Sequence, residues 1–439
     1  MLSWGKLQTM KIFIYDEFNP EDTAMMQALY SRSAVSVTEH AAKVKQTGSG
    51  KFMEKYYVGY GHASIADCGS TTIFIEGVSM LVAKAVEDWP LYSGQETSSR
   101  YIDFAHQTIV DPLGSVSSKK ILDRWLEFYV NGQAAVGKHL RIKYPRRSDE
   151  DETVYERAVK ARTFDILRGF LPAGITTQLS WHTNLRQAWD KLTLLRHWPL
   201  PEVQETAKFI HSQLQAKYPS SFSHQLHAGQ ERYWKFLGDK HTFYLEKKYA
   251  GDFSATTNIK PAALEHYRDI LRQRPARTNL PHFLTQLGTC TFNFLLDFGS
   301  FRDLHRHRNG VCRMPLLTTR FGFNHWYLAQ LPINLSRAAK NLIKEQQTAI
   351  AKLKAPRELT QYYIAMGFNV TCQVSYGLPP TVYVVELRSG KMVHPTLRRV
   401  AHKMDKFLRR RFPLLKLHSD LDPDDWDIRR GKQDIREKK

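Results

Sequence analysis

The stretch from Ser93 to Tyr101 reads Ser-Gly-Gln-Glu-Thr-Ser-Ser-Arg-Tyr, and it sets a carboxylate (Glu96), a hydroxyl (Ser98) and a guanidinium (Arg100) within one polar loop. An acceptor, a hydroxyl and a planar fork of donors suit a phosphorylated, planar heterocycle. The plain alternative is a helix-to-loop transition rich in hydrogen-bonding residues. A second cluster, Arg306-His307-Arg308, offers two more guanidinium groups around an imidazole. Asp303, His305 and His307 alternate, and on a strand they would present ligands from one face. The apolar run before them, Thr289 to Phe301, reads as a helix, on which residues two apart do not face each other, so no metal site is expected. A basic surface patch is the other reading of the triplet.

Further residues stand in a recognisable order around the loop. Gly61-His62-Ala63-Ser64 precedes Thr71-Thr72-Ile73-Phe74-Ile75-Glu76-Gly77-Val78-Ser79, and the loop follows. Downstream come Leu167-Arg168-Gly169-Phe170-Leu171-Pro172, Asn184-Leu185-Arg186, Leu195-Arg196 and Val203-Gln204-Glu205. In order and spacing this resembles the flavin-dependent thymidylate synthases. Their signature runs Arg-His-Arg, a Ser three residues on, Asn-Glu, and Ser-x-Arg-Tyr. Ser93, Glu96, Ser98, Arg100 and Tyr101 fit it, Gln95 replaces the Asn, and Asp88-Trp89-Pro90 stands in place of Arg-His-Arg.

The resemblance implies FAD-dependent methylation of dUMP to dTMP in nucleotide biosynthesis, with methylenetetrahydrofolate and NADPH as co-substrates. It assigns Glu96, Ser98, Arg100, Arg168 and Arg196 to the nucleotide, with Ser98, Arg100 and Arg196 as the catalytic set. It assigns His62, Asn184, Arg186, Arg306, His307 and Arg308 to the flavin. Ser98 would bind and polarise rather than attack. A diverged enzyme acting on another pyrimidine, and a nucleotide- or RNA-binding relative without catalysis, are the alternatives.

The chain has 439 residues, 42% hydrophobic and 12% aromatic, enough for more than one core. Its formal charge of +20 points to anionic partners, nucleic acid among them through the basic tail from Arg429 to Lys439. Cys68, Cys290, Cys312 and Cys372 lack C-x-x-C spacing and read as reduced core thiols, none in a nucleophile setting. No apolar run reaches the roughly 18 residues of a membrane span, and Met1 to Lys11 lacks a signal-peptide core, so a cytoplasmic protein is expected.

The elements that must position these groups read as follows. Lys11 to Tyr15 is a short strand, Ile73 to Val86 a buried helix, and Ser117 to Lys143 a long amphipathic helix stopped by Pro145. Val154 to Phe170 is helical, a strand restarts at His241 to Glu246, and Ser336 to Lys354 is a second long helix. His62 and His282, Gly69 and Gly288, and Arg100 and Arg320 recur at an offset of about 220 residues, which indicates an internal repeat. The fold expected is α+β, two tandem copies of a thymidylate synthase-like domain over 1–238 and 239–439, each a small mixed sheet packed by long helices. The first copy keeps the nucleotide loop, and the second keeps Arg-His-Arg. The family draws each site from neighbouring subunits of a homotetramer. Two duplicated chains are therefore expected to pair as a pseudo-tetramer with sites composed from both repeats.

Overall fold

In the computed structural model, residues 17–422 are described apart from 32, 34, 35, 101 and 247–250. The predicted strand Lys11–Tyr15, Tyr101 and the tail from Arg429 lie outside the described residues. The chain divides into two compact units, one of Met1–Phe74, Leu91–Gly94 and Ser180–Gly238, the other of Ile75–Pro90, Gln95–Leu179 and Asp239–Lys439.

The segment expected as one buried helix is strand first and helix second. β1 (Ser70–Ser79) is built on Thr71, Thr72, Ile73, Phe74 and Ile75, residues whose branched or aromatic side chains suit a pleated surface. Ser79 then accepts a hydrogen bond from the Val82 amide and starts the helix Met80–Glu87, every residue of which is buried. The second apolar run, also read as a helix, is corrected in the same way. It forms a strand, Thr289–Asp297, with alternating burial, and Asp297 then caps the helix Phe298–Leu304 by accepting from the Ser300 amide. A short apolar run carries no period long enough to separate the two states; the capping residue inside each run is what divides it.

In the first unit, the helices Pro20–Tyr30 and Val37–Thr47 bring Met25, Met26, Ala41 and Val44 together. The helices Leu185–Leu195 and Pro201–Lys217 complete it with most of Ala228–His241. β1 pairs with β2 (Thr176–Asn184), and the unit boundary falls inside both strands. Gly69, just before β1, is required sterically, because a Cβ there would lie 2.0 Å from the Pro20 carbonyl oxygen.

The second unit holds a sheet of β3 (Phe253–Thr257), β4 (Thr289–Asp297), β5 (Gly310–Cys312) and β6 (Asn369–Gly377) in the antiparallel order β3-β4-β6-β5. The strand expected at His241–Glu246 is absent. Tyr244 makes one isolated parallel bridge to Pro315, its N–H donating to the Met314 carbonyl and its carbonyl accepting from the Leu316 amide, and among the described residues no ladder extends from it. The helix Val116–Lys143 buries Ile121, Leu122, Trp125, Tyr129, Val136 and Leu140, mostly at helical spacing on one face. It packs on the helix Ile333–Ala351, and the Gln346 amide donates to the Ile121 carbonyl at 2.7 Å. The architecture is α+β.

One order of elements occurs twice once Glu152–Leu167, β5, His325–Ala329 and Arg357–Thr360 are set aside. β1, Met80–Glu87, Val116–Lys143, a 3₁₀ turn Arg168–Phe170, β2, Leu185–Leu195 and Pro201–Lys217 are answered by β4, Phe298–Leu304, Ile333–Ala351, a 3₁₀ turn Gln361–Tyr363, β6, Leu378–Ser389 and Pro395–Arg411. Among the described residues no helix is long and apolar enough to cross a membrane.

Trp125 is fully buried and its indole N–H donates to the Tyr363 carbonyl at 3.0 Å. Trp125→Ala should therefore cost about 3–5 kcal/mol in urea unfolding. Trp125→Phe, which keeps most of the volume and loses the hydrogen bond, should cost clearly less.

Candidate functional site

The second unit gathers most of the charged residues singled out above. Glu96 has a fully buried side chain whose carboxylate lies 2.8 Å from Lys84 Nζ and 2.6 Å from Arg302 Nη2. Lys84 also pairs with Glu87 within its own helix. Burial alone pushes the Glu96 carboxyl up, but Arg302 and Lys84 outweigh it and hold the group below the usual carboxylate range. Arg302 Nη1 donates to Ser99 Oγ at 2.9 Å, so the loop is tied to the helix Phe298–Leu304. Ser98 Oγ accepts from the Arg100 amide at 3.3 Å. The Arg100 guanidinium meets Asp165 in a two-pronged pair, Nε to Oδ1 at 2.6 Å and Nη2 to Oδ2 at 3.0 Å. Arg162 binds the same carboxylate at 2.9 Å.

The triplet lies beside this cluster within a single chain. Arg306 is exposed, 3.7 Å from the Asp303 carboxylate, and its charge acts on Glu96. Arg308 Nε donates to the Glu87 carbonyl at 3.3 Å. His305 meets Asp88 at 2.9 Å, so the segment standing in place of Arg-His-Arg before the Glu96 loop touches the residue preceding the Arg306–Arg308 triplet. His307 accepts at Nε2 from Arg388 Nε, 2.7 Å away, which requires a neutral imidazole with its proton on Nδ1. Burial, with Arg388 next, pushes the His307 pKa down to about 3. Arg388 also donates to the Asp303 carbonyl at 2.6 Å and, among the described residues, has no carboxylate in an ion pair. Burial lowers its pKa, partly offset by Asp303. The Asp303 carboxyl, although burial pushes it up, is held well below the usual range by Arg100, Arg168, Arg306 and Arg388.

Arg168 is fully buried in the same unit, and its charge also acts on Asp165. Its Nη2 donates to Ser300 Oγ at 3.2 Å, and Ser300 Oγ is 3.1 Å from His394 Nδ1 and 2.7 Å from Thr396 Oγ1. Tyr327 donates to Asp297 at 2.6 Å in the same network. The first unit holds the remaining four. Asn184 caps the helix Leu185–Leu195 by accepting from the Gln187 amide at 2.8 Å. Arg186 pairs with Asp67 at 2.8 Å and Asp190 at 3.2 Å. Arg196 pairs with Glu231 at 2.9 Å and lies over the Trp189 ring. His62 is exposed, near Tyr56 and Tyr60.

Sequence reasoning missed Lys84, Arg302 and Asp165. Lys84 was the most legible of these, a lone cation inside the apolar run Met80–Val86, where a buried lysine needs a partner. Among the described residues no cluster could hold a metal ion, and burial raises the pKa of Cys290, Cys312 and Cys372, which keeps those thiols protonated.

A strand, a capped helix, a polar loop and a facing guanidinium cluster now have their sequence counterpart. Residues 15–220 match the family described as thymidylate synthase complementing protein. Over those residues the chain is similar to that family. It is also similar to UPF0159 proteins of Chlamydia muridarum (26% identical, 88% of this chain and 84% of that one) and Chlamydia pneumoniae (25%, 88% and 83%). A UPF0159 protein of Thermoplasma acidophilum is 22% identical over 87% of this chain and 91% of its own length. These relatives match well beyond residue 220, so the second half is shared with them.

The family is flavin-dependent, and the donor set of the second unit fits the phosphates of such a cofactor: Arg306 is exposed and Arg308 half-buried. Asn184 and Arg186 are already engaged by a helix end and two carboxylates.

His307 gives the site a pH signature. Its folded pKa lies below that of the unfolded chain, so the unfolded state binds more protons between pH 6.5 and about 3. The stability due to neutral His307 is present above pH 6.5 and is lost as the pH falls to about 3. His307→Gln, which can still accept from Arg388, should make unfolding free energy less steep across that window in urea titrations at several pH values. An unchanged slope would remove His307 as its source.

Proposed function

We propose that the second unit carries a nucleotide site of the thymidylate synthase type, formed by the Glu96–Arg100 loop together with Arg306, His307, Arg308 and Arg388. The observation that carries this reading is Arg388, a largely buried guanidinium with no carboxylate in an ion pair, beside an imidazole that is neutral. Every nearby carboxylate already serves a cation, so the group fitted to complete the neutralisation is an anion from outside, such as a nucleotide phosphate. In this reading Arg388 binds the phosphate oxygens of the nucleotide. Ser98 is placed to polarise a base carbonyl, and neutral His307 fixes the orientation of Arg388.

The reaction proposed is methylation of dUMP to dTMP, with methylenetetrahydrofolate supplying the carbon. The chemistry that FAD supplies when bound is hydride delivery, its reducing equivalents coming from NADPH. Arg306 and Arg308 would hold its phosphates. The role of the chain's own residues is electrostatic, to bind and orient the nucleotide and to stabilise charge that develops on the uracil carbonyls. The twice-occurring order of elements supports a tandem duplication with its boundary near residues 238 and 239. In that arrangement the first copy supplies the loop and the second the Arg-His-Arg triplet. Pairing of two chains into a pseudo-tetramer belongs to the same reading.

A second reading, nucleotide binding without turnover, draws on Asp165, which occupies both prongs of Arg100, and on Asp88-Trp89-Pro90 in the triplet's place. A visible spectrum of the purified chain with added FAD, followed by calorimetry with dUMP, separates the two. Flavin uptake and dUMP binding are expected. Arg306→Ala should lose the flavin, and Arg388→Ala should weaken dUMP binding by about 1.5–3 kcal/mol, roughly ten- to a hundredfold in Kd. dUMP binding without flavin uptake would favour the second reading, and neither would overturn both.

A further inference from the structure

A cavity of about 320 Å³ in the second unit shares no lining residue with the site above, although Lys391 and Val393 of its wall flank Met392, whose carbonyl accepts from Arg100 Nη2 at 3.5 Å. Its walls come from the end of the helix Val116–Lys143, the turn from Trp326 to Gln330 and the start of the helix Pro395–Arg411. Lys143, Lys391, Arg398, Arg399 and His402 line it, and no carboxylate does. A concave surface lined by one sign of charge concentrates the opposite sign.

Arg398 is the built part of this cavity. It is 5% exposed, and its Nε donates to the Ser389 carbonyl at 2.6 Å. Nη2 lies 3.0 Å from Asp420 Oδ1 but in a geometry that makes no hydrogen bond, so a donor of a buried guanidinium remains unsatisfied. Asp420 does not neutralise the rest of the lining: its carbonyl accepts from His402 Nε2 at 2.9 Å, while Lys143 and Arg399 are exposed. The helix Pro395–Arg411 starts here with Pro395 in its first turn, so the positive end of its dipole lies at the cavity. Tyr144 and Trp326 add aromatic wall, with Val393 and Pro395 beside them.

We propose that this cavity is a second anion site that takes a small phosphorylated molecule bearing at least two negative charges. Several cationic side chains around one cavity favour a multiply charged phosphate over an isolated carboxylate. The volume is at the lower end of the range for small-molecule sites, which suits a sugar phosphate or mononucleotide rather than a polymer.

The test is calorimetry of the full chain with inorganic pyrophosphate as probe, compared with citrate and with a single-stranded oligonucleotide. Saturable pyrophosphate binding is expected, weakened about tenfold or more in Lys143→Ala/Arg399→Ala. Both residues are exposed, so the melting temperature should hold, and dUMP binding should be unaffected in the same variant. The proposal is overturned if pyrophosphate does not saturate, if the double variant binds it as tightly, or if citrate binds equally well. Oligonucleotide binding that the double substitution abolishes, with no pyrophosphate binding, would overturn it in favour of a nucleic-acid surface.

Discussion

The carboxylate of Glu96, held out of water between Lys84 and Arg302, is the constraint on which the second unit depends. Two stretches distant in sequence meet there: the helix after β1 with the loop that follows it, and the helix after β4. Two cations and one anion without solvent are costly to assemble, and their attraction offsets the desolvation only if the geometry is held. Breaking the arrangement is therefore far more damaging than its net contribution would indicate, since any partner removed leaves a buried charge uncompensated. Register follows from this, because a shift of either helix by one residue would separate the charges.

The same accounting explains what is left for chemistry. Asp165 is shared by Arg100 and Arg162, Glu96 by Lys84 and Arg302, and Asp303 lies under the influence of four arginines. Carboxylates in this region are fewer than cations, and the shortfall falls at Arg388 and Arg306. The Arg388 donors are met by a neutral imidazole and a backbone carbonyl, partners that satisfy hydrogen bonds without neutralising charge. A structural core of ion pairs with an uncompensated guanidinium at its margin is what a phosphate-binding site requires before its ligand arrives.

Residue types and order in the sequence carried the α+β class, the long helices near 116–143 and 333–351, and the nearness of the triplet to the Glu96 loop. They did not carry the strand–helix division at Ser79 and Asp297, since apolar residues continue past both positions and the decision rests on one capping side chain in each. The strand expected at His241–Glu246 is reduced to one bridge at Tyr244, and its first residue ends the helix Ala228–His241 instead. Of the site, Arg100 was legible as a fork for carboxylate or phosphate. That Asp165 is what it grips depends on a helix some 60 residues on. Lys84 shows the general difficulty: its burial was readable from its neighbours, while its partners were fixed only by the fold.

A double-mutant cycle on Glu96 and Arg302 tests the central claim most directly. Glu96→Gln and Arg302→Met should each cost about 3–5 kcal/mol in urea unfolding at pH 7, because each strands a buried charge. The double variant should be clearly less unstable than the sum of the two, with a coupling of about 0.5–3 kcal/mol. Single costs below about 1 kcal/mol that simply add would show that the two residues do not depend on each other, and would contradict the account.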